Sequence, residues 1–260
     1  MNTKRFRLSG TFWMILALAR MGAGSDFVWI GAGDGTNWVT AANWDAGAGY
    51  PDGTDDRAFF TNGAAAVTIP AGLTLGGFAQ GTNFVGTNSL AGNLALAATG
   101  GHAGSLTIDG GRLLTGQDIV SGIAADGAIL IGASGTVIVC RSSTAGEGLG
   151  QTLAAGTMKV EGVLHADGEG FGASRGPGSG GGYLSPAGTH GGRGGYNNDP
   201  TYGSFTNPIA LGSGGTHPGG GAISLLVTGE LYVAGRILLR IYSSYLDWCR
   251  VEEDVPENAE

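Results

Sequence analysis

Short β-like runs, each broken by a glycine, constrain this chain more than any other feature. Residues 66–77 read AVTIPAGLTLGG, 105–116 read SLTIDGGRLLTG, 127–140 read GAILIGASGTVIVC, and 157–168 read TMKVEGVLHADG. Residues 222–237 repeat the plan as AISLLVTGELYVAGRI. In this last run Ile223, Leu225, Val227, Leu231 and Val233 keep one parity, with Gly229 at the bend. Met158, Val160 and Leu164 do the same around Gly162. Successive side chains of a strand point to opposite faces, so each run predicts one apolar and one polar face. Glycine at the bend lets the backbone turn where a Cβ would clash.

The doublets at 71–72, 110–111, 134–135, 161–162 and 228–229 align the runs. Strand–turn–strand units recurring irregularly over some tens of residues predict an all-β, right-handed parallel β-helix (β-solenoid), with each unit burying its apolar face against the next. A two-layer β-sandwich fits the same short strands. Glycine supplies 53 of 260 residues without a strict triplet period, which excludes collagen. A hydrophobic content of 42% is too high for a wholly disordered chain.

The expected organisation has four parts. Residues 1–25 read as a signal peptide: Lys4, Arg5 and Arg7, then the apolar run 8–19, then small residues that place cleavage after Ala23, Gly24 or Ser25. An uncleaved N-terminal anchor is the alternative. Residues 26–66 form a Trp-rich N-terminal cap, and 67–241 form the solenoid, with a Gly-rich insertion at 167–220. Phe171, Tyr183, Tyr196, Tyr202 and Phe205 interrupt that insertion, so a long loop ordered by aromatic packing and turns is expected, with disorder the alternative. Residues 242–260 are an atypical acidic tail. Glycine vanishes there, and the change of composition raises the expectation of a truncated or frame-shifted gene.

Loss of residues 1–25 removes four basic residues and no acidic one, taking the net charge from −8 to −12. A chain so acidic makes nucleic acid a poor partner. No other segment is long and apolar enough for a membrane helix, so the processed chain is not expected to be an integral membrane protein. Cys140 and Cys249 are the only cysteines. An oxidising compartment permits a disulfide between them, and two free thiols are the alternative.

Candidate chemistry is sparse. Residues 31–36 (GAGDGT) and 212–222 (GSGGTHPGGGA) lack the lysine and following helix of a phosphate loop. Asp52, Asp55 and Asp56 lack the spacing of a calcium loop and read as turn residues. His102, His165, His190 and His217 show no metal-ligand spacing. Asp167 and Glu169, with Arg175 nearby, are the one carboxylate pair that follows a strand, as a glycan-cleaving site requires; the alternative is a solvated loop edge. No catalytic, cofactor-binding or metal-binding residue is assigned, and no cofactor is expected.

The cassette Trp29-x-Gly31, Asn37-Trp38, Ala42-Asn43-Trp44, Pro51 and Asp56-x-Ala58-x-Phe60 resembles the opening of secreted bacterial β-helix proteins, including autotransporter passenger-like repeat proteins. The Gly-rich zone leading into residues 219–237 looks like Gly-rich bacterial surface proteins. The resemblance implies a secreted or cell-surface protein, structural or adhesive and without catalytic activity. Its Trp rings would close the first coil. Surface polysaccharide or other cell-surface proteins are the expected partners. Carbohydrate binding or polysaccharide cleavage on the solenoid face is the alternative function.

Overall fold

The computed structural model describes residues 24–45, 49–119, 121–141, 148, 150–179, 189–190, 201–204, 206 and 209–239. The signal-peptide expectation, except for Gly24 and Ser25, and the acidic-tail expectation lie outside these residues, as do Cys249, Tyr183, Tyr196 and Phe205. Among the described residues no helix is long and apolar enough to cross a membrane.

The described residues are all-β apart from one 3-10 turn at Ala41–Asn43. In order, the strands are β1 (Asp26–Val28), β2 (Arg57–Gly63), β3 (Ala66–Ile69), β4 (Leu73–Leu75), β5 (Gly77–Phe84), β6 (Thr87–Leu90), β7 (Leu94–Leu96) and β8 (Ser105–Ile108). They continue as β9 (Arg112–Leu114), β10 (Gly122–Ile131), β11 (Thr136–Ile138), β12 (Gln151–Val160), β13 (Val163–His165), β14 (Ile223–Val227), β15 (Leu231–Val233) and β16 (Arg236–Leu238). They form a ten-stranded sheet along β1-β2-β5-β8-β10-β12-β14, with β4, β7 and β15 joined to it, and a six-stranded sheet, β3-β6-β9-β11-β13-β16.

Every strand pairing among the described residues is parallel. An antiparallel sandwich cannot produce that pattern. The inward residues form columns. Ala58, Phe78, Leu106, Ile129, Met158 and Leu231 stand in register, as do Phe60, Gln80, Ile108, Ile131, Val160 and Val233. Leu73, Leu94, Ile123, Leu153 and Leu225 make a third column. Val67, Asn88, Leu113, Val137, Leu164 and Ile237 face them from the other sheet. These columns are the core, and most members are 0–2% exposed. Each buried Leu, Ile or Phe contributes roughly 1.5–3 kcal/mol.

A further column explains the glycines. Gly86, Gly111, Gly135, Gly162 and Gly235 each directly precede a strand of the six-stranded sheet. The N–H of the residue after Gly111, Gly135, Gly162 and Gly235 donates to the carbonyl of the preceding member of the column, at 2.9–3.1 Å. A Cβ at Gly162 would lie 2.3 Å from the carbonyl oxygens of Gly132 and Gly135, and one at Gly235 would lie 2.1 Å from that of Gly162. Backbones therefore approach here too closely for any side chain. The expected bends at 111, 135 and 162 belong to this column. Gly72 and Gly229 serve other bends, before β4 and between β14 and β15.

The Trp cassette covers the first strands of both sheets. β1 pairs with β2, and Asn37 bridges Thr68 in β3. Trp29, Trp38 and Trp44 are at most 4% exposed and meet Phe60, with ring centroids 5.3–6.3 Å from its own. Trp38 Nε1 donates to Pro51 O at 3.0 Å, and Trp44 Nε1 to Trp38 O at 2.8 Å. Asn43 holds the turn beneath them. Its Oδ1 accepts from Gly33 and Gly35, and its Nδ2 donates to Asp34 and to Asn37 O.

The described part of the Gly-rich insertion lies between β13 and β14. Backbone bonds carry it: Gly170 N–H donates to Gly219 O, Phe171 N–H to Gly212 O, and Ser174 N–H to Gly215 O. Of the expected aromatics, Phe171 packs where Cβ atoms at Gly148 or Gly176 would sit, and Tyr202 bonds to Leu211 O and Ser213. Backbone pairing between glycines contributes order that aromatic packing alone would not supply. Cys140 is a free, buried thiol, and burial and the Glu169 charge push its pKa up to about 12.

Candidate functional site

A groove lies on the outer face of the ten-stranded sheet. Strands β2, β5 and β8 lie side by side, which sets Arg57, Gly77 and Ser105 in one outward row and Phe59, Ala79 and Thr107 in the next. The middle residue of each row is the smallest, so the rows sag at β5. The turn carrying His102 and Ala103 raises one end, and Gly76 and Gly101 leave the floor open. The cavity measures about 250 Å³.

Its cation is held in place. Arg57 Nε and Nη2 donate to the two carboxylate oxygens of Asp26 at 2.7 and 2.6 Å, a bidentate pair. The guanidinium carbon sits 5.2 Å from the Phe59 ring centre, a cation–π contact. An added Cβ at Gly77 would lie 3.3 Å from Arg57 Cδ, so glycine gives the stem room to lie flat. Ser105 Oγ accepts from Ala128 N–H at 3.1 Å, and no hydrogen bond joins it to His102. The groove thus presents an aromatic ring, a fixed guanidinium, an imidazole and the Thr107 hydroxyl. That set suits noncovalent recognition of a small polar ring. It contains no nucleophile bonded to a base.

The carboxylates singled out from sequence are elsewhere and apart from their expected cation. Glu169 Oε2 accepts from Arg141 N–H at 3.2 Å, and Asp167 Oδ2 lies 3.9 Å from His165 Nδ1. No ion pair links Arg175 to either carboxylate, and its N–H donates to Gly172 O within a turn. Asp56 binds backbone N–H groups of Ser25, Asp52 and Gly53, which makes residues 52–56 a turn. The histidines are dispersed: His190 packs edge-on against Tyr202, and His217 Nδ1 meets Thr216 Oγ1. Among the described residues no group of three His, Cys, Asp or Glu is placed to hold a metal.

Both Gly-rich stretches weighed as phosphate loops spend their donors internally. Gly33 and Gly35 N–H go to Asn43, and Gly212, Gly219 and Gly221 N–H go to Gly220, Phe171 and Ala166 carbonyls. Sequence reasoning missed the groove because its residues come from three strands. The outward parity of Arg57 and Phe59, alternating with buried Ala58 and Phe60, was the available signal. It also missed the buried polar residues Gln80, Asn88 and Gln151, and gave Asn43 no role beyond its place in the cassette. Gln151 ties Ser121 to the carbonyls of Gly116, Ile119 and Cys140.

No protein-family model matches the chain, and no curated protein or solved structure proves significantly similar to it.

Proposed function

We propose that the two parallel sheets are walls of a right-handed β-solenoid, and that it serves as a structural or adhesive, non-catalytic element of a secreted or cell-surface protein. The observation that carries this reading is the unbroken register from Ala58 to Leu231, which gives one long surface of fixed spacing. Parallel strands in one sheet are joined by right-handed crossovers in nearly all proteins, which supports the hand. The N-terminal cassette's likeness to secreted bacterial β-helix proteins, the apolar run at 8–19 and the acidic balance support the location. The outer row Phe59, Ala79, Thr107, Leu130, Lys159 and Tyr232 carries one charge, Lys159, which pairs with Glu161 at 2.7 Å.

The test is binding without turnover. The chain without residues 1–25 is incubated with a panel of surface polysaccharides, measuring retention and new reducing ends together. Retention with no new ends is the expected result. Reproducible cleavage, lost on Asp167→Asn and Glu169→Gln, would contradict it.

The groove favours a second reading, carbohydrate binding. A glycan array run with the native chain and with Phe59→Ala checks it. Under this reading, signal on particular glycans drops at least tenfold in the variant, as about 1.4 kcal/mol of lost affinity requires.

A further inference from the structure

The groove over β2, β5 and β8 offers side-chain donors and no carboxylate. Its polar lining is Arg57, His102, Ser105 and Thr107, and the rest is Gly, Ala and Phe. That is unusual on a chain with 21 acidic and 13 basic residues. Arg57 spends Nε and Nη2 on Asp26, and its Nη1 has no partner among the described residues. The His102 ring nitrogens and the Thr107 hydroxyl also have none there, and Ser105 Oγ accepts one bond and keeps its own hydrogen to donate. Asp26 holds the guanidinium from β1, one strand outside the groove, and is not part of the lining. The Asp55 carboxyl packs against Gly100, where a Cβ would meet its Cγ at 2.8 Å, and is outside the lining too. Two adjoining glycines bring the donors into one groove. The Arg57 stem lies against Gly77, and a Cβ at Gly76 would sit 3.0 Å from His102 Cδ2.

We propose that the ligand of this groove is an acidic sugar unit, one pyranose ring that carries a carboxylate or sulfate, an assignment that rests on the carbohydrate-binding reading and adds a charge to it. The anion takes the open Nη1 donors of Arg57, with the His102 imidazole as a further donor. The Phe59 ring serves the apolar face of the sugar, and Thr107 and Ser105 serve its hydroxyls. A neutral sugar donates as well as accepts, and no side-chain carboxylate or amide lines the groove to receive its hydroxyl hydrogens. An anion only accepts, and its bonds to a guanidinium are charge-assisted and the stronger kind. The volume of about 250 Å³ lies below the range of about 300–1,000 Å³ that encloses a drug-sized ligand, so the groove takes a single ring.

Calorimetric titration of the full chain tests this. The ligands are uronate-containing and sulfated oligosaccharides, each beside its carboxyl-reduced or desulfated counterpart. The expected result is an acidic form bound about tenfold or more tightly than its neutral counterpart, with the ratio falling toward one in about 1 M salt. The pair that shows the preference, carboxylate or sulfate, identifies the anion. In Asp26→Asn/Arg57→Gln the ratio should be near one at low salt as well. Equal affinity within every pair, or tighter binding of the neutral forms, overturns the acidic assignment and leaves carbohydrate binding standing. No binding to any member overturns both. A preference that survives in the double variant puts the anion elsewhere and overturns the proposal. If the double variant fails to fold, the native chain decides, since a preference that salt does not weaken also overturns it.

Discussion

At the scale of single residues, the fold depends on a few polar side chains that composition does not reveal. Asn43 is fully buried and uses its whole amide, accepting from two glycine N–H groups and donating to Asp34 and Asn37. Asn43→Ala strands those partners, and each unpartnered buried group costs about 1–3 kcal/mol. The expected loss is about 2–4 kcal/mol, read from denaturant midpoints followed by Trp fluorescence. Asp34 sits in the same turn. The N–H of Asn37, then the Asn43 amide, the N–H of Thr36 and the Thr40 hydroxyl hold its carboxyl well below the usual carboxylate range. Folded Asp34 therefore binds a proton more weakly than the unfolded chain does. Its contribution is complete above the ordinary value of 3.8 and drains away as pH falls below it. The Tm gap between the native chain and Asp34→Asn should be constant above about pH 5 and shrink below about pH 4. Asn88 makes the opposite case. It is fully buried between Val67 and Leu113, and neither amide atom has a partner among the described residues. Asn88→Leu should raise stability by about 1–2 kcal/mol, since it removes an uncompensated polar group. A lowered denaturant midpoint would refute that.

At the scale of elements, glycine sets how closely neighbouring turns stack. Gly162→Ala puts a methyl against two carbonyl oxygens at 2.3 Å, and overpacking of this kind costs about 1–3 kcal/mol. Gly49→Ala, where a Cβ meets nothing within 4 Å, is the control and should change stability little. Calorimetry of both variants separates close approach from a general intolerance of side chains. Much of this level was legible beforehand. The parity of Ile223 to Val233 and of Met158 to Leu164 located β14, β15, β12 and β13, and the doublets marked three members of the glycine column. Register between distant strands was not legible, because Phe78 and Leu106 meet through a backbone ladder that leaves no local signature. For the same reason the groove was invisible: Arg57, Gly77 and Ser105 become neighbours only once that register exists. Asp167, Glu169 and Arg175 were legible as neighbours in sequence. The chain then turns at Gly168 and Gly172, and no ion pair joins Arg175 to either carboxylate.

At the scale of the molecule, columns of Leu, Ile, Val and Phe enclosed by parallel sheets make a core that grows by repetition. Such a core needs closure at its ends more than at its sides. The aromatic cassette supplies one closure, whereas at the far end Leu231 and Val233 are 45% and 44% exposed. The Gly-rich insertion enters between β13 and β14 without breaking the ladder, because β12 pairs with β14 and β15 across it. Insertions of this kind lengthen a crossover and cost little, since closure entropy grows slowly with loop length. The central claim is the parallel, in-register stack, and a crystal structure of the chain tests it most directly. Phe78, Leu106, Ile129 and Met158 should stand in one inward column, with neighbouring strands about 4.8 Å apart and all running the same way. Antiparallel neighbours, or two facing layers with these four residues dispersed between them, would contradict it.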